Sequence, residues 1–251
     1  FFEHPWLNEA ARRFLFEERK IDWRVVNWCR LTSWTDKKGV NWLQIPYFDM
    51  EGRLIGIQNR NLDYRKTPTE TKGLAADKTP TDFTDDTDAP SLQTEDSLRS
   101  EGSHQKEGSL QTEGSLRTEP MAPRFRFPYG ARCSIYNLPV VKRLQVGESL
   151  FITEGCSDCW AMLSAGHKAI AIPSATLLKP EDKKWLVEMG EKLRIEWHMF
   201  PDKDAPGEQL FLQLKEILPS LVHHQLPPGC KDFSEYYQKS FCPFRATGVR
   251  P

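Results

Sequence analysis

Two stretches of this sequence end an apolar run in carboxylates, and together they constrain the fold more than any other feature. The first, residues 150–158 (LFITEGCSD), starts apolar and partly β-branched, so it reads as a buried strand. It delivers Glu154 and Gly155 at the strand's C-terminal end. Glycine there allows the tight turn that exposes the glutamate at the sheet rim. The second, residues 195–207, ends in Pro201-Asp202-Lys203-Asp204-Ala205-Pro206-Gly207. If both strands share one parallel sheet, Glu154, Asp202 and Asp204 converge where ligands of such sheets bind. Three carboxylates that close repel one another unless a divalent cation neutralises them.

The surrounding pattern supports such a sheet. Strands are expected at 149–153, 169–172, 193–200 and 221–225, with helices at 156–165, 180–190 and 205–218. Pro180 opens the second helix, and Gly190 and Gly166 mark helix ends. Alternating strands and helices with short connections imply a parallel sheet with helices on both faces.

The pairing of ITEGCSD with FPDKDAPG resembles the Toprim domain, which is shared by bacterial-type DNA primases, type IA and II topoisomerases and some nucleases. The two motifs look most like the primase version. The expected fold is therefore α/β: a Rossmann-like Toprim unit at 148–239 behind a small α+β subdomain at 1–66. In that first subdomain a helical start (ARRFLFEERKI) leads to a strand (WLQIPYFD), a glycine turn and a second strand (GRLIGIQNRNL). Asp22 reads as the N-cap of a short helix at 23–28. This order is similar to the N-terminal part of the primase catalytic core, and Arg60 matches an arginine of that family's basic surface. On composition alone Arg60 reads equally as a solvated surface side chain.

Residues 67–121 differ in kind. They hold almost no aromatics and carry a six-residue repeat, SLQTED, SLRSEG, SHQKEG, SLQTEG, SLRTEP. Such composition buries too little apolar surface to offset the chain entropy lost on ordering, so a disordered insertion is expected. It accounts for the low overall hydrophobic content of 39%. A connecting basic–aromatic segment spans 122–147, then come the Toprim unit and a tail at 240–251. Arg124 stands where the resemblance implies a lysine, and Arg132 lies near a second basic position. Both keep the charge, but an arginine binds phosphate bidentately and does not act as a base. Near the end, PGCKDF resembles the segment that closes the primase domain, with Asp232 at its acidic position.

The resemblance implies template-directed synthesis of short RNA primers on single-stranded DNA from ribonucleoside triphosphates, with Mg²⁺ or Mn²⁺. In that reading Glu154, Asp202 and Asp204 hold metal, Asp158 and Asp232 support them, and Arg60, Arg124 and Arg132 contact phosphate. Asp158 reads equally as a helix N-terminal charge. A replicative helicase is a further partner that the resemblance implies. The zinc-binding domain that family primases carry before this core is not visible, and no zinc site is expected. A Toprim nuclease, a non-catalytic single-stranded-DNA-binding module and a degenerate, structural Toprim domain that binds neither metal nor DNA are the alternatives. A topoisomerase needs a tyrosine nucleophile domain, for which the chain is too short.

The remaining signals are read as structural. Net charge is −1, so any nucleic-acid surface must be local. The six cysteines lack disulfide-framework spacing, which suits a reducing cytoplasm. No apolar run is long enough to cross a membrane, and no signal peptide opens the chain. The opening Phe1 suggests a piece of a longer protein. Cys156 and Cys159 are expected to pack rather than bind zinc. His223 and His224 should face opposite ways on a strand. Ser174 and Thr176 are phosphate contacts or turn formers. The tryptophans before residue 43 are core residues or base-stacking platforms.

Overall fold

The structure is a computed structural model of the chain and describes residues 2, 5–64, 123–128, 134–173 and 178–240. The expected insertion at 67–121, Arg132, Ser174, Thr176 and the tail after 240 lie outside the described residues.

The N-terminal part begins with α1 (Glu9–Arg12), whose first turn is capped by the Asn8 carboxamide accepting from the Ala11 N–H at 2.9 Å. The helix widens into a π-helical stretch, Arg13–Glu18, closed by the Arg19 N–H donating to the Phe14 carbonyl. Asp22 caps α2 (Trp23–Trp28), as its spacing suggests, by accepting from the Arg24 N–H at 2.8 Å. Then come β1 (Thr32–Thr35), β2 (Asn41–Phe48) and β3 (Leu54–Asn61). The β2–β3 turn closes through Gly52, whose φ of 82° suits glycine. A short β4 (Phe125–Arg126) pairs with β3 and completes an antiparallel sheet in the order β1-β2-β3-β4.

The second sheet is parallel, in the order β6-β5-β7-β8. Its strands are β5 (Ser149–Glu154), β6 (Ala169–Ile172), β7 (Glu196–Met199) and β8 (Val222–His223). They alternate with α3 (Cys156–Ser164), α4 (Pro180–Leu193) and α5 (Ala205–Ile217), and α6 (Phe233–Ser240) comes after β8. A 3₁₀ turn at Leu138–Arg143 leads into β5. Alternate residues of β5 and β7 reach opposite faces. Leu150, Ile152, Trp197 and Met199 pack with Leu210 and Leu214 of α5 and Leu186 of α4. On the other face α3 and β6 join Leu43, Ile45 and Tyr47 of β2 in a shared core. The antiparallel sheet and the parallel sheet are thus fastened through α3, the helix that begins directly after Glu154 and Gly155.

One boundary differs from the sequence reading. Gly190 does not end α4: the helix runs on to Leu193, and Arg194 takes the left-handed cap at φ 51°. Gly190 serves close packing instead, because a Cβ there would sit 2.7 Å from the buried Trp197 indole nitrogen. Gly190→Ala is expected to destabilise the fold by about 1–3 kcal/mol through overpacking. Thermal melting checks this, and an unchanged midpoint would show that Trp197 moves freely. Among the described residues no helix is long and apolar enough to cross a membrane.

Candidate active site

Glu154 ends β5, and Gly155 turns the chain at φ 81° while its N–H donates to the Ile172 carbonyl of β6 at 2.9 Å. The turn leaves the glutamate at the C-terminal rim of the sheet. One of its oxygens, Oε2, is buried and has no hydrogen-bond partner among the described residues. Burial, and secondly the charge of Asp204, raise its pKa above the ordinary value. An unpaired buried oxygen costs on the order of 1–3 kcal/mol, so a partner for it would stabilise the site.

Asp202 and Asp204 come after β7. Asp204 caps α5, its Oδ1 accepting from the Gly207 N–H at 2.9 Å. Gly207 packs directly on the Asp202 backbone: a Cβ there would meet the Asp202 carbonyl oxygen at 2.6 Å and its nitrogen at 2.8 Å. The spacing Asp-x-Asp-x-x-Gly therefore has a steric reason, because the helix start must lie against the loop that presents Asp202. The Lys203 ammonium donates to the Pro227 carbonyl at 2.7 Å, and its N–H donates to the Lys231 carbonyl. These bonds tie the Asp202 loop to the segment that carries Asp232.

Asp158 lies in the first turn of α3 and is buried, accepting from the Ser234 N–H of α6 at 2.8 Å. It therefore does more than complement a helix dipole. Asp232 accepts from the Glu235 N–H at 2.8 Å at the start of α6, with the Lys231 ammonium 3.4 Å away.

The five carboxylates meet electrostatically at Asp202. Burial pushes its pKa up to about 9, and the charges of Asp158, Glu154, Asp232 and Asp204 all act in the same direction. Asp158 is pushed up to about 7 by burial and then by Asp232, against the Ser234 N–H, Arg19 and Lys231. The group resists full ionisation unless a cation joins it. Among the described residues no three His, Cys, Asp or Glu side chains are already arranged to hold a metal ion.

A stack of guanidinium groups and aromatic rings approaches the cluster at its Arg19 end. Arg60 lies 4.7 Å over the Phe14 ring and 5.5 Å over the Phe125 ring. Arg19 lies 5.4 Å over Phe14, and Arg124 lies 5.1 Å over Phe125. The rings hold three like charges together. Burial, then Arg124 and Arg19, lower the Arg60 pKa to about 9, which leaves it cationic near neutrality. Among the described residues no ion pair joins any of the three to a carboxylate. Arg19 also donates to the Ser234 hydroxyl at 3.3 Å and acts on the Asp158 pKa, so it links the cationic stack to the acidic cluster.

Sequence reasoning missed Arg19, which sits in a helical run dense in charge, and it missed β4. The alternation Arg124-Phe125-Arg126-Phe127 was a strand-period signal for that edge. Cys156 and Cys159 are buried. Cys156 lies 3.3 Å from the Tyr47 hydroxyl, and Cys159 contacts the Ala169 carbonyl at 3.4 Å, which is packing between elements. His223 meets Phe211 and Glu208, while His224 meets His198 and Phe200, so the pair does face opposite ways. The early tryptophans divide: Trp42 is fully buried, whereas Trp6 and Trp23 are 64% exposed.

The fold is that of primase catalytic cores. The T7 bacteriophage primase fragment is 13% identical with a TM-score of 0.53, over 89% of this chain and 68% of that chain. The RNA polymerase domain of Mycobacterium tuberculosis primase DnaG, in complex with double-stranded DNA, is 16% identical with a TM-score of 0.55, over 92% and 70%. A DnaG catalytic domain bound to single-stranded DNA is 14% identical with a TM-score of 0.50, over 92% and 70%. The likeness is one of fold. No protein-family model matches the chain, and no curated protein matches its sequence.

Proposed function

We propose that the chain is the polymerising core of a DNA primase, joining ribonucleoside triphosphates into short RNA primers on single-stranded DNA. The observation that carries this reading is a link between two groups: carboxylates focused on Asp202, and the Arg19–Arg60–Arg124 stack, whose Arg19 reaches Ser234 and acts on Asp158. Nucleotidyl transfer needs both, one to hold divalent cations and one to hold phosphates.

Glu154, Asp202 and Asp204 are the proposed metal holders, with Asp158 and Asp232 supporting them. The donors are all oxygens, and Glu154 Oε2 lacks a partner among the described residues, which fits a hard cation such as Mg²⁺ or Mn²⁺. Mg²⁺ takes one or two carboxylates and fills its shell with water and phosphate oxygens, so an open cluster suits it. When bound, it would neutralise triphosphate charge as the in-line transition state forms. Arg60 and Arg124 bind phosphate oxygens, with Arg132 as a third proposed contact, and Arg19 positions the stack against Asp158. Single-stranded DNA and a replicative helicase are proposed partners.

The direct test supplies labelled ribonucleotides, single-stranded DNA and Mg²⁺ or Mn²⁺. Oligoribonucleotide products support the reading. A shortened template without ribonucleotide incorporation would move the assignment to a Toprim nuclease. Arg60→Ala is expected to weaken single-stranded DNA or triphosphate binding by about tenfold and to flatten its salt dependence. Binding measured across salt concentrations checks this, and an unchanged slope would remove Arg60 from phosphate contact.

Stability should also couple to pH and metal. Unfolded, the Asp158 and Asp202 carboxyls ionise near 3.8, whereas folded they hold protons up to about 7 and about 9. The folded state therefore binds more protons than the unfolded state across this window, and these groups lower stability as pH rises from about 4 to about 9. A cation that binds the ionised cluster opposes that loss. Mg²⁺ should raise the melting temperature more at about pH 8.5 than at about pH 5. An equal shift at both would contradict cation binding at this cluster.

A further inference from the structure

A separate cavity of about 300 Å³ opens among Asn27, Trp28, Arg30, Phe48, Tyr136 and Asn137, with the β2–β3 turn at its edge. Three aromatic residues, Trp28, Phe48 and Tyr136, contribute to its walls. Among the described residues its only charged wall is Arg30, and no carboxylate lines it. Arg30 lies 5.0 Å over the Phe48 ring, and Arg143 lies 4.0 Å over the Trp28 ring. None of the carboxylates of the acidic cluster reaches this cavity.

The backbone here is unusual. Arg30 comes after α2 with φ 51°, and Asn137 precedes the 3₁₀ turn with φ 64°. The Leu31 N–H donates to the Val26 carbonyl and the Arg30 N–H to the Asn27 carbonyl, which is the helix-ending pattern that normally places glycine at this site. A side chain at that position is strained, yet the chain carries an arginine there and lays it on Phe48. Asn137 is fully engaged: its Oδ1 accepts from the Trp28 indole N–H at 2.9 Å, and its Nδ2 donates to the Ala169 carbonyl at 2.8 Å. That pair fixes the Trp28 ring as a rigid wall. Asn27 is exposed and lines the cavity.

We propose that this cavity binds a nucleoside phosphate at a second site, apart from the acidic cluster. The base stacks on the aromatic walls, the Asn27 carboxamide meets its polar edge, and Arg30 takes the phosphate. The volume lies at the lower end for a small-molecule site. The inference does not rest on the primase reading, because none of these residues belongs to the proposed reaction site.

The test is ATP binding by the full chain in EDTA, monitored by quenching of tryptophan fluorescence and by calorimetry. Wild type and Glu154→Gln should bind alike. Arg30→Gly relieves the left-handed strain, so it should melt at or above the wild-type temperature while binding ATP about tenfold to a hundredfold more weakly. Trp28→Leu should also lose binding. Wild-type affinity in Arg30→Gly overturns the proposal. Pyrophosphate that competes as well as ATP also overturns it, because the base would then contribute nothing.

Discussion

Glu154→Gln is expected to abolish primer synthesis, by about 10²–10³-fold or more, while leaving the chain folded. The substitution keeps the size and shape of the side chain. It removes the one charge that stands at the β5 rim with an unpaired buried oxygen. It also removes one of the charges that push Asp202 up to about 9. In the absence of metal the variant should therefore melt at or above the wild-type temperature. The combination of lost activity with equal or higher stability is the signature of a site whose charges oppose the fold and serve a ligand. A variant that loses activity together with stability would make Glu154 a structural residue. A variant that stays active would remove it from the chemistry.

Gly207→Ala is expected to do the reverse, losing stability and activity together. The added methyl would lie 2.6 Å from the Asp202 carbonyl oxygen and 2.8 Å from its Cβ and nitrogen. The obstacle is mainly backbone and cannot swing aside. Either the N-terminus of α5 moves away, or the Asp202 loop does. The first breaks the Asp204 cap on the Gly207 N–H, worth about 1 kcal/mol, in addition to about 1–3 kcal/mol of overpacking. The second displaces Asp202, and a shift of about 1 Å at a reacting centre can reduce turnover about 10²-fold. Melting and primer synthesis, measured on the same preparation, check both. Wild-type values in each would show that the loop relaxes without disturbing the carboxylate.

These two residues also show why part of the molecule was legible in the sequence. Apolar runs ending in Glu154-Gly155 and Asp202-x-Asp204 announce strand ends, because a buried strand that turns at a rim exposes its next few residues. The Asp22 cap and the Gly52 turn are equally local, set by neighbours within a few residues. The features hidden from sequence reasoning were long-range. Gly190 and Gly207 carry the same letter, but one accommodates Trp197 and the other the Asp202 loop, and neither contact is encoded nearby. Arg19 acquires its role only when a π-helical turn brings Phe14 between it and Arg60. Asp158 reads as a helix-start charge until α6 arrives from the far end of the chain and donates the Ser234 N–H to it.

Mutually repelling carboxylates around Asp202 are the proposed divalent-cation site. Manganese binding reports on it most directly, through loss of the free Mn²⁺ resonance as protein is added. Saturable binding by the wild-type chain is expected, accompanied by proton release near neutral pH, with loss of that binding in Asp202→Asn and Glu154→Gln. No saturable binding by the wild-type chain, or binding that both variants retain, would contradict it.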